Sequence, residues 1–162
     1  MITISKTTII YPNFVAKSIL DISAVRLLEA DITHLALDVD DTLVPRNGNI
    51  LKEEYIKHLR DLEKAGIILI IASNSRRDFA SITRHLNARV VSPTTPIFKP
   101  WKSYYKLLIK IAGVKPQNIA MAGDNIVNDI IGANLACLQS IFVYPLDRKH
   151  GPITRWYKNK LK

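Results

Sequence analysis

The chain has little cysteine and no long hydrophobic run, and these absences exclude several classes of protein. Cys137 is the one cysteine among 162 residues, which excludes a disulfide framework and is typical of a reducing cytoplasm. No stretch approaches the run of about 18 apolar residues that a membrane-spanning helix needs. The first residues also lack the basic start, apolar middle and small-residue cleavage site of a signal peptide. We therefore expect a cytoplasmic protein that is soluble or associates peripherally with the inner face of the membrane.

Internal repeats, linkers and low-complexity tracts are also missing. With 48% apolar residues, a chain of this length can bury one sizeable core and has little left for a second. We therefore expect a single domain over residues 1–162. It divides into a helical lead-in at 1–32, a catalytic core at 33–145 and a basic tail at 146–162. Within the lead-in, residues 13–30 are expected to form amphipathic turns that pack on the core.

Acidic residues are absent from residues 99–115, which carry five lysines, and nearly absent from 147–162, which carry six basic residues beside Asp147. These two segments account for the formal net charge of +9. A basic surface concentrated in this way indicates an anionic partner such as a phosphate, a membrane surface or nucleic acid. The alternative is a solvated basic face that serves only solubility.

Short apolar runs alternate with helical patterns along the chain. The predicted strands are 34–39, 67–72, 88–91, 118–122 and 140–143, each bounded by Gly, Pro, Asn or Ser. The predicted helices are 51–62, 79–86, 107–112 and 129–138. This alternation predicts a Rossmann-like, three-layer α/β/α fold with a parallel sheet, whose binding crevice lies at the carboxyl ends of the strands.

The segment LALDVDDTLV at residues 35–44 sets three carboxylates, Asp38, Asp40 and Asp41, behind the first of these strands. Carboxylates crowded at a strand end repel one another, and a fold tolerates them mainly when a cation neutralises the charge. Mg2+ is the natural candidate because it prefers oxygen ligands. Since side chains alternate along an extended segment, Asp38 and Asp40 face the same way.

Further polar residues follow the other strands at the same edge of the predicted sheet. They are Thr42 after the first strand, Ser73 and Asn74 after the second, Lys99 and Pro100 beyond the third, and Gly123, Asp124 and Asp129 after the fourth. Phosphoryl transfer through an aspartyl phosphate requires groups of this kind on one rim: carboxylates, a hydroxyl, an amide and an ammonium group.

The order DxDxT, SN, KP and GDxxxxD resembles the haloacid dehalogenase superfamily of phosphatases. The resemblance implies that Asp38 is the nucleophile and Asp40 the general acid/base, that Ser73 binds the transferring phosphoryl group, and that Lys99 balances its charge. Thr42, Asn74 and Arg76 would help to bind the phosphate. The implied Mg2+ ligands are Asp38, the backbone carbonyl of Asp40, Asp124 and Asp129.

Several of these residues have a second interpretation. Ser73 could be a helix cap, Lys99 a surface lysine, and Asn128 could take the place of Asp129. Asp41, where relatives carry Gly or Asn, is expected to be a solvated or helix-capping acid. The four histidines lack the spacing of metal ligands.

The flanking segments resemble the YqeG-type group of subclass IIIA, related to the phosphatidylglycerophosphate phosphatases. This resemblance implies conversion of phosphatidylglycerophosphate to phosphatidylglycerol. Many superfamily members insert a cap domain, but 35 positions separate Asp38 from Ser73 and 26 separate Ser73 from Lys99, so we expect no cap. An open crevice admits a phosphate on a large carrier, and Trp101, Trp156 and Tyr157 lie among basic residues as interfacial anchors do.

Two alternatives remain at the level of sequence. The first is a phosphatase for a protein or nucleic-acid phosphate, although the chain carries no recognised nucleic-acid module. The second is a receiver domain that accepts a phosphoryl group for signalling. The oligomeric state is not predicted.

Overall fold

A seven-stranded sheet forms the centre of the molecule, in a computed structural model that describes residues 2–3, 9–46, 48–91, 93, 97–147 and 159. Across the sheet, the strand order is β1-β2-β7-β6-β3-β4-β5. The strands are β1 (Ile2–Thr3), β2 (Phe14–Ala16), β3 (His34–Leu37), β4 (Ile68–Ala72), β5 (Arg89–Val91), β6 (Ile119–Gly123) and β7 (Gln139–Val143). Only the edge pair β1 and β2 is antiparallel among these strands.

Helices cover both faces of the sheet. The described α-helices are α1 (Ala24–Glu29), α2 (Glu53–Lys64), α3 (Ala80–Thr83), α4 (Lys102–Ala112) and α5 (Gly132–Leu135). A π-helical segment, Ile126–Ile131, runs directly into α5, and 3-10 turns lie at Ile19–Asp21 and Pro116–Asn118. Helix α4 ends where Gly113 adopts φ 74°, a left-handed conformation that suits glycine.

The central strands are apolar throughout because both of their faces are buried. In β3, Leu35 and Leu37 join the core beneath α1, α2 and α3. Ala36, between them, joins the core beneath α4 and α5. A strand buried on both faces reads as a continuous hydrophobic run, and the run in β3 ends directly before Asp38. The sheet therefore delivers Asp38 to its edge on a rigid support.

The predicted α/β fold with a parallel sheet is confirmed. All five predicted strands are present within two residues of their expected ends. The four predicted helical regions overlap α2, α3, α4 and the segment Ile126–Ile131 with α5, but α4 begins five residues and Ile126–Ile131 three residues before the predicted start. Between Asp38 and Ser73 the described residues form a loop, α2 and β4, and between Ser73 and Lys99 they form α3 and β5. No further domain is inserted among these residues.

The prediction for the lead-in was wrong at Phe14. This residue begins strand β2, which pairs with β7 in register Phe14 to Ile141, whereas amphipathic turns were expected. The physical reason is that the position between β1 and β7 offers backbone hydrogen bonds that a three-residue apolar pattern does not reveal. The following residues do form a 3-10 turn and α1; Ile19 and Ile22 are buried there, while Val25 and Leu28 are exposed.

The basic tail of 146–162 falls largely outside the described residues, and so do Trp156 and Tyr157. Among the helices that the structure describes, none has both the length and the apolar character that crossing a bilayer requires.

Candidate active site

Three neighbouring strands carry the candidate catalytic residues to one edge of the sheet. Asp38 follows β3, Ser73 follows β4 and Asp124 follows β6, and β3 lies between the other two strands. The backbone N–H of Asp38 still donates to the carbonyl of Ala122 on β6, at 2.9 Å. Asp38 is therefore held by the sheet itself, and its carboxylate opens on the cleft beyond the strand ends.

Lys99 links two carboxylates in the interior of this site. Its Nζ lies 2.7 Å from Asp38 Oδ1 and 2.6 Å from Asp129 Oδ1, and its residue surface is only 2% exposed. Burial by itself would lower the pKa of Lys99, but the charges of Asp129 and Asp38 outweigh that effect and hold the pKa well above its ordinary value. Lys99 is therefore a permanent cation between two acids, and the surface-lysine interpretation is wrong.

Asn74 fixes the backbone of Lys99. The amide oxygen of Asn74 accepts from the Lys99 N–H at 2.7 Å, and its Nδ2 donates to the Lys99 carbonyl at 2.9 Å. Asn74, which was predicted as a phosphate ligand, thus positions the lysine and also lines the cleft. Ser73 is buried, lines the cleft and accepts at Oγ from the Ser75 N–H at 3.2 Å.

The acids beside Lys99 form a cluster with the geometry of a metal site. Asp38, Asp124 and Asp129 each offer a carboxylate oxygen, and these oxygens lie within 4.8 Å of one another. Burial, then the charges of Asp129 and Asp38, raises the pKa of Asp124 to about 7. One lysine cannot balance three carboxylates, and oxygen ligands at this spacing suit a hard divalent cation. The donor set therefore fits the predicted metal, and these three residues could hold it.

The segment Ile126–Ile131 sets Asp129, and not Asn128, into this cluster. Asp129 is fully buried, and its Oδ2 accepts from the Asn125 N–H at 3.0 Å. Burial also raises the pKa of Asp129, against the effect of Lys99. Asn128 lies on the cleft wall, where its backbone carbonyl accepts from the hydroxyl of Tyr105.

Gly123 makes room for the buried carboxylate. A Cβ added to Gly123 would lie 2.2 Å from Asp129 Oδ2. This distance is too short for a contact between a carbon and an oxygen that are not bonded. The glycine of the GDxxxxD motif thus has a steric reason at this position.

Thr42, predicted to bind phosphate, is buried and donates through Oγ1 to Asp124 Oδ1 at 3.5 Å. It is not among the residues that line the cleft.

Asp40 lies in the cleft but outside the carboxylate cluster of Asp38, Asp124 and Asp129. Its Oδ1 lies 2.9 Å from Nη2 of Arg77, and Cζ of Arg77 lies 5.7 Å from the centre of the Phe79 ring. The predicted phosphate ligand Arg76 is exposed and does not line the cleft. Arg77 was not predicted from the sequence, where its only signal is that it is the second arginine after the SN motif.

The expectation that Asp41 would be a solvated or capping acid was wrong. Asp41 is buried, with φ 59°, and caps no helix. Its carboxylate accepts from both the backbone N–H and Nε of Arg46, each at 3.2 Å. The left-handed φ explains why Asp, like Asn or Gly, is accepted here, since their short side chains tolerate this region best.

A cleft of about 440 Å³ lies at this site. Its walls are polar, and they bring together the following predicted and newly found residues: Asp38, Asp40, Arg46, Ser73, Asn74, Ser75, Lys99, Asp124, Asn125, Asn128 and Asp129. This volume lies in the range of pockets that hold whole small molecules. The cleft can therefore accept more than a phosphate group alone.

Comparison with known proteins gives consistent matches. A model of the haloacid dehalogenase-like hydrolase family matches residues 12–136. The chain is 23% identical over 146 residues to the "Probable phosphatase YqeG" of Bacillus subtilis, covering 90% of this chain and 83% of that one. It is 27% identical over 92 residues to a phosphoserine phosphatase of Thermus thermophilus, over 52% of this chain and 37% of that enzyme.

Solved structures share the fold. An uncharacterized Listeria monocytogenes protein is 21% identical with a TM-score of 0.58, over 75% of this chain and 85% of that one. The cobalt-bound deoxy-D-mannose-octulosonate 8-phosphate phosphatase of Haemophilus influenzae is 17% identical with a TM-score of 0.52, over 70% and 69%. Magnesium-bound YfnB of Bacillus subtilis is 15% identical with a TM-score of 0.50, over 81% and 99%.

Proposed function

Because the chain belongs to the haloacid dehalogenase-like hydrolase family and is a phosphoric monoester hydrolase, we propose that it acts through an aspartyl phosphate on Asp38. The observation that carries this proposal is the contact between Lys99 and Asp38 at 2.7 Å, deep in a cleft that also holds Asp40, Ser73 and Asp124. The receiver alternative is set aside, because the chain is a hydrolase.

In the first step, a carboxylate oxygen of Asp38 attacks phosphorus while the bond from phosphorus to the alcohol oxygen breaks. Asp40 protonates the departing alkoxide. In the second step, water attacks the phosphorus of the aspartyl phosphate and gives a proton to Asp40. The bond between phosphorus and Asp38 then breaks and releases inorganic phosphate. Lys99 and the Ser73 hydroxyl stabilise the phosphoryl oxygens during both steps.

The enzyme requires a divalent metal, and we assign Mg2+ to the oxygens of Asp38, Asp124 and Asp129, with the backbone carbonyl of Asp40 as a further ligand. When bound, the metal would neutralise phosphoryl charge beside the nucleophile. The acid cluster and the metals named in the two related structures, cobalt and magnesium, support this assignment.

We propose that the substrate is a lipid phosphate, namely phosphatidylglycerophosphate, which is converted to phosphatidylglycerol. The similarity to YqeG, at 23% identity over 90% of the chain, agrees with the resemblance of the flanking segments to the YqeG-type group. Helix α4 begins three residues after Lys99 and carries the exposed side chains of Lys102, Lys106 and Lys110. Trp101, 59% exposed, precedes them. This surface suits peripheral contact with anionic lipid on the cytoplasmic face of the membrane.

A panel of phosphomonoesters tests the substrate. Lipid, nucleotide, sugar and phosphopeptide phosphates are assayed with Mg2+, and phosphatidylglycerophosphate is expected to give the highest kcat/KM. Cosedimentation with vesicles rich in anionic lipid tests the membrane contact. Binding should fall at high salt and in the K102Q/K106Q/K110Q variant.

The matched control for the vesicle experiment is K52Q/K57Q/K64Q, which removes three exposed lysines at helix α2 on the opposite face of the sheet. Vesicle binding that is indifferent to salt and equal in both variants would count against the lipid substrate. Preference for a phosphopeptide or a nucleic-acid phosphate would instead support the macromolecular alternative.

A further inference from the structure

Asp41 is a buried acid that the proposed reaction does not use. Its backbone is fixed on both sides, because its N–H donates to the Val44 carbonyl at 2.8 Å and its carbonyl accepts from the Leu146 N–H at 2.8 Å. The charge of Asp41 also contributes, after burial, Asp129 and Asp38, to the raised pKa of Asp124. Another anion beside an acidic cluster is electrostatically unfavourable. A separate function of the Asp41 carboxylate would explain why an acid is present at this unfavourable position.

That carboxylate holds Arg46. Oδ1 of Asp41 accepts from the Arg46 backbone N–H and Oδ2 from its Nε, so that both the chain and the guanidinium are oriented. The side chain of Asp41 is 9% exposed, whereas that of Arg46 is 75% exposed. Among the described residues, Nη1 and Nη2 of Arg46 have no partner. The guanidinium is therefore anchored at one edge and keeps its two terminal amino groups available as donors.

Arg46 lines the same cleft as Asp38 and Lys99, and its side chain is 75% exposed. Lys99 is 2% exposed and marks the inner end, where phosphoryl transfer takes place. The alcohol part of a bound phosphomonoester must point outward from that end, to the exposed part of the cleft wall that includes Arg46. A guanidinium binds carboxylates and phosphates with two parallel hydrogen bonds, so an anionic group on the alcohol would match it.

We propose that Arg46 is a specificity residue that binds a second anionic group, carried on the alcohol part of the substrate, and that Asp41 is the positioning residue that holds Arg46 there. This inference rests on the proposed phosphatase function. It defines the substrate class as phosphomonoesters with a further carboxylate or phosphate near the scissile ester.

Two matched pairs of substrates test the proposal. 3-Phosphoglycerate and glycerol 3-phosphate differ in a carboxylate, and propane-1,3-diol bisphosphate and monophosphate differ in a second phosphate. We expect wild type to favour the member with the additional charge in one pair or both, and the favoured pair identifies the anionic group. R46Q should lower kcat/KM for that member roughly 10- to 100-fold. It should change kcat/KM for p-nitrophenyl phosphate less than about twofold, and R46K should recover part of the loss.

D41N tests the positioning role, because Asn keeps the shape of Asp and tolerates the left-handed φ. D41N should lower kcat/KM for the charged member but lower it no further in the R46Q background, since Asp41 acts through Arg46. R84Q, which removes an exposed arginine outside the cleft, is the control for net charge and should match wild type on every substrate.

The outcomes separate the inference from the proposed function. Turnover of p-nitrophenyl phosphate without discrimination within either pair would overturn the inference and leave the phosphatase intact. Equal losses in R46Q on charged and uncharged members would also overturn it, because Arg46 would then serve the transferring phosphoryl group. Additive losses in D41N/R46Q would overturn the positioning role. Failure of wild type to hydrolyse any phosphomonoester with Mg2+ would remove the proposed function and the inference together.

Discussion

The ammonium group of Lys99 lies 2.7 Å from a carboxylate oxygen of Asp38, a residue 61 positions earlier in the chain. The same nitrogen contacts Asp129, which comes 30 positions later. The contact with Asp38 orients the proposed nucleophile, and the contact with Asp129 ties that nucleophile to the acid cluster. Most of the following predictions concern this arrangement.

The nucleophile is tested by D38N. An amide keeps the shape of the carboxylate but cannot attack phosphorus, so the variant should fold and form no phosphoenzyme. Turnover of p-nitrophenyl phosphate with Mg2+ should fall by several decades. D40N should also be severely impaired, because protonation of the leaving group is lost. If D38N kept more than about a tenth of wild-type activity, another residue would have to be the nucleophile.

Lys99 is tested by its effect on stability as well as activity. K99M leaves two buried carboxylates without their cation, and removing one partner of a buried ion pair typically costs about 3–5 kcal/mol. Urea unfolding in the presence of chelator should show a loss of this size. K102M, which removes an exposed lysine of α4, is the control and should change stability by less than about 0.5 kcal/mol. K99M/D129N should recover part of the loss, and equal stability in K99M and K102M would contradict the buried bridge.

The metal is tested by its effect on thermal unfolding. Mg2+ should raise the melting temperature and permit turnover, because it binds the folded acid cluster and not the unfolded chain. Chelator should reverse both effects, and Ca2+ should support turnover poorly because its coordination shell is larger and looser. D124N should weaken the rise in melting temperature, whereas D61N, at an exposed acid of α2, should not. Full activity after exhaustive chelation would refute the assignment.

The stability of the metal-free protein should depend on pH through Asp124. Burial raises the pKa of Asp124 from 3.8 to about 7, so between about pH 4 and 7 the folded protein holds a proton that the unfolded chain has released. The free energy of unfolding should therefore fall as pH rises through this window, by up to about 1.4 kcal/mol per pH unit for one such group.

The D124N variant isolates that contribution. Burial also lowers the pKa of His34, and this group acts in the opposite direction, since its contribution to stability is lost as pH falls below about 6.5. His34 is present in both proteins, so the difference between wild type and D124N should still decrease with rising pH. Urea unfolding in chelator from pH 5 to 8 measures it, and parallel curves would show that Asp124 titrates normally.

The role of Gly123 is tested by G123A, which adds a single methyl group. The Cβ of G123A would lie 2.2 Å from Asp129 Oδ2, so the carboxylate must leave its present position beside Lys99. We expect at least a tenfold loss of kcat and weaker stabilisation by Mg2+. The control G113A has open space around its Cβ but φ 74°, so it should lower stability by about 1 kcal/mol and leave kcat unchanged. Wild-type kcat in G123A would show that Asp129 does not need this position.

The sequence by itself determined the layers of the fold and the set of residues at the strand ends. The apolar runs of β3, β4 and β6 are long enough to be buried on both faces, and each run stops where a polar residue begins. Because parallel strands end at one edge of the sheet, Asp38, Ser73 and Asp124 could be assigned to one site before any coordinates. Strand β2 could not be predicted, because its three residues are held by pairing with β7 and not by a periodic pattern.

Only the tertiary structure decided which side chains meet. Arg76 and Arg77 are equivalent in sequence, but the backbone after Ser73 turns Arg77 toward Asp40 and leaves Arg76 exposed. Asp41 was expected to be solvated, yet its left-handed backbone buries it against Arg46. The side-chain oxygen and nitrogen of Asn74 each form a hydrogen bond with the backbone of Lys99. These contacts join residues through loop conformations, whose geometry depends on packing against distant segments and leaves no periodic trace in the sequence.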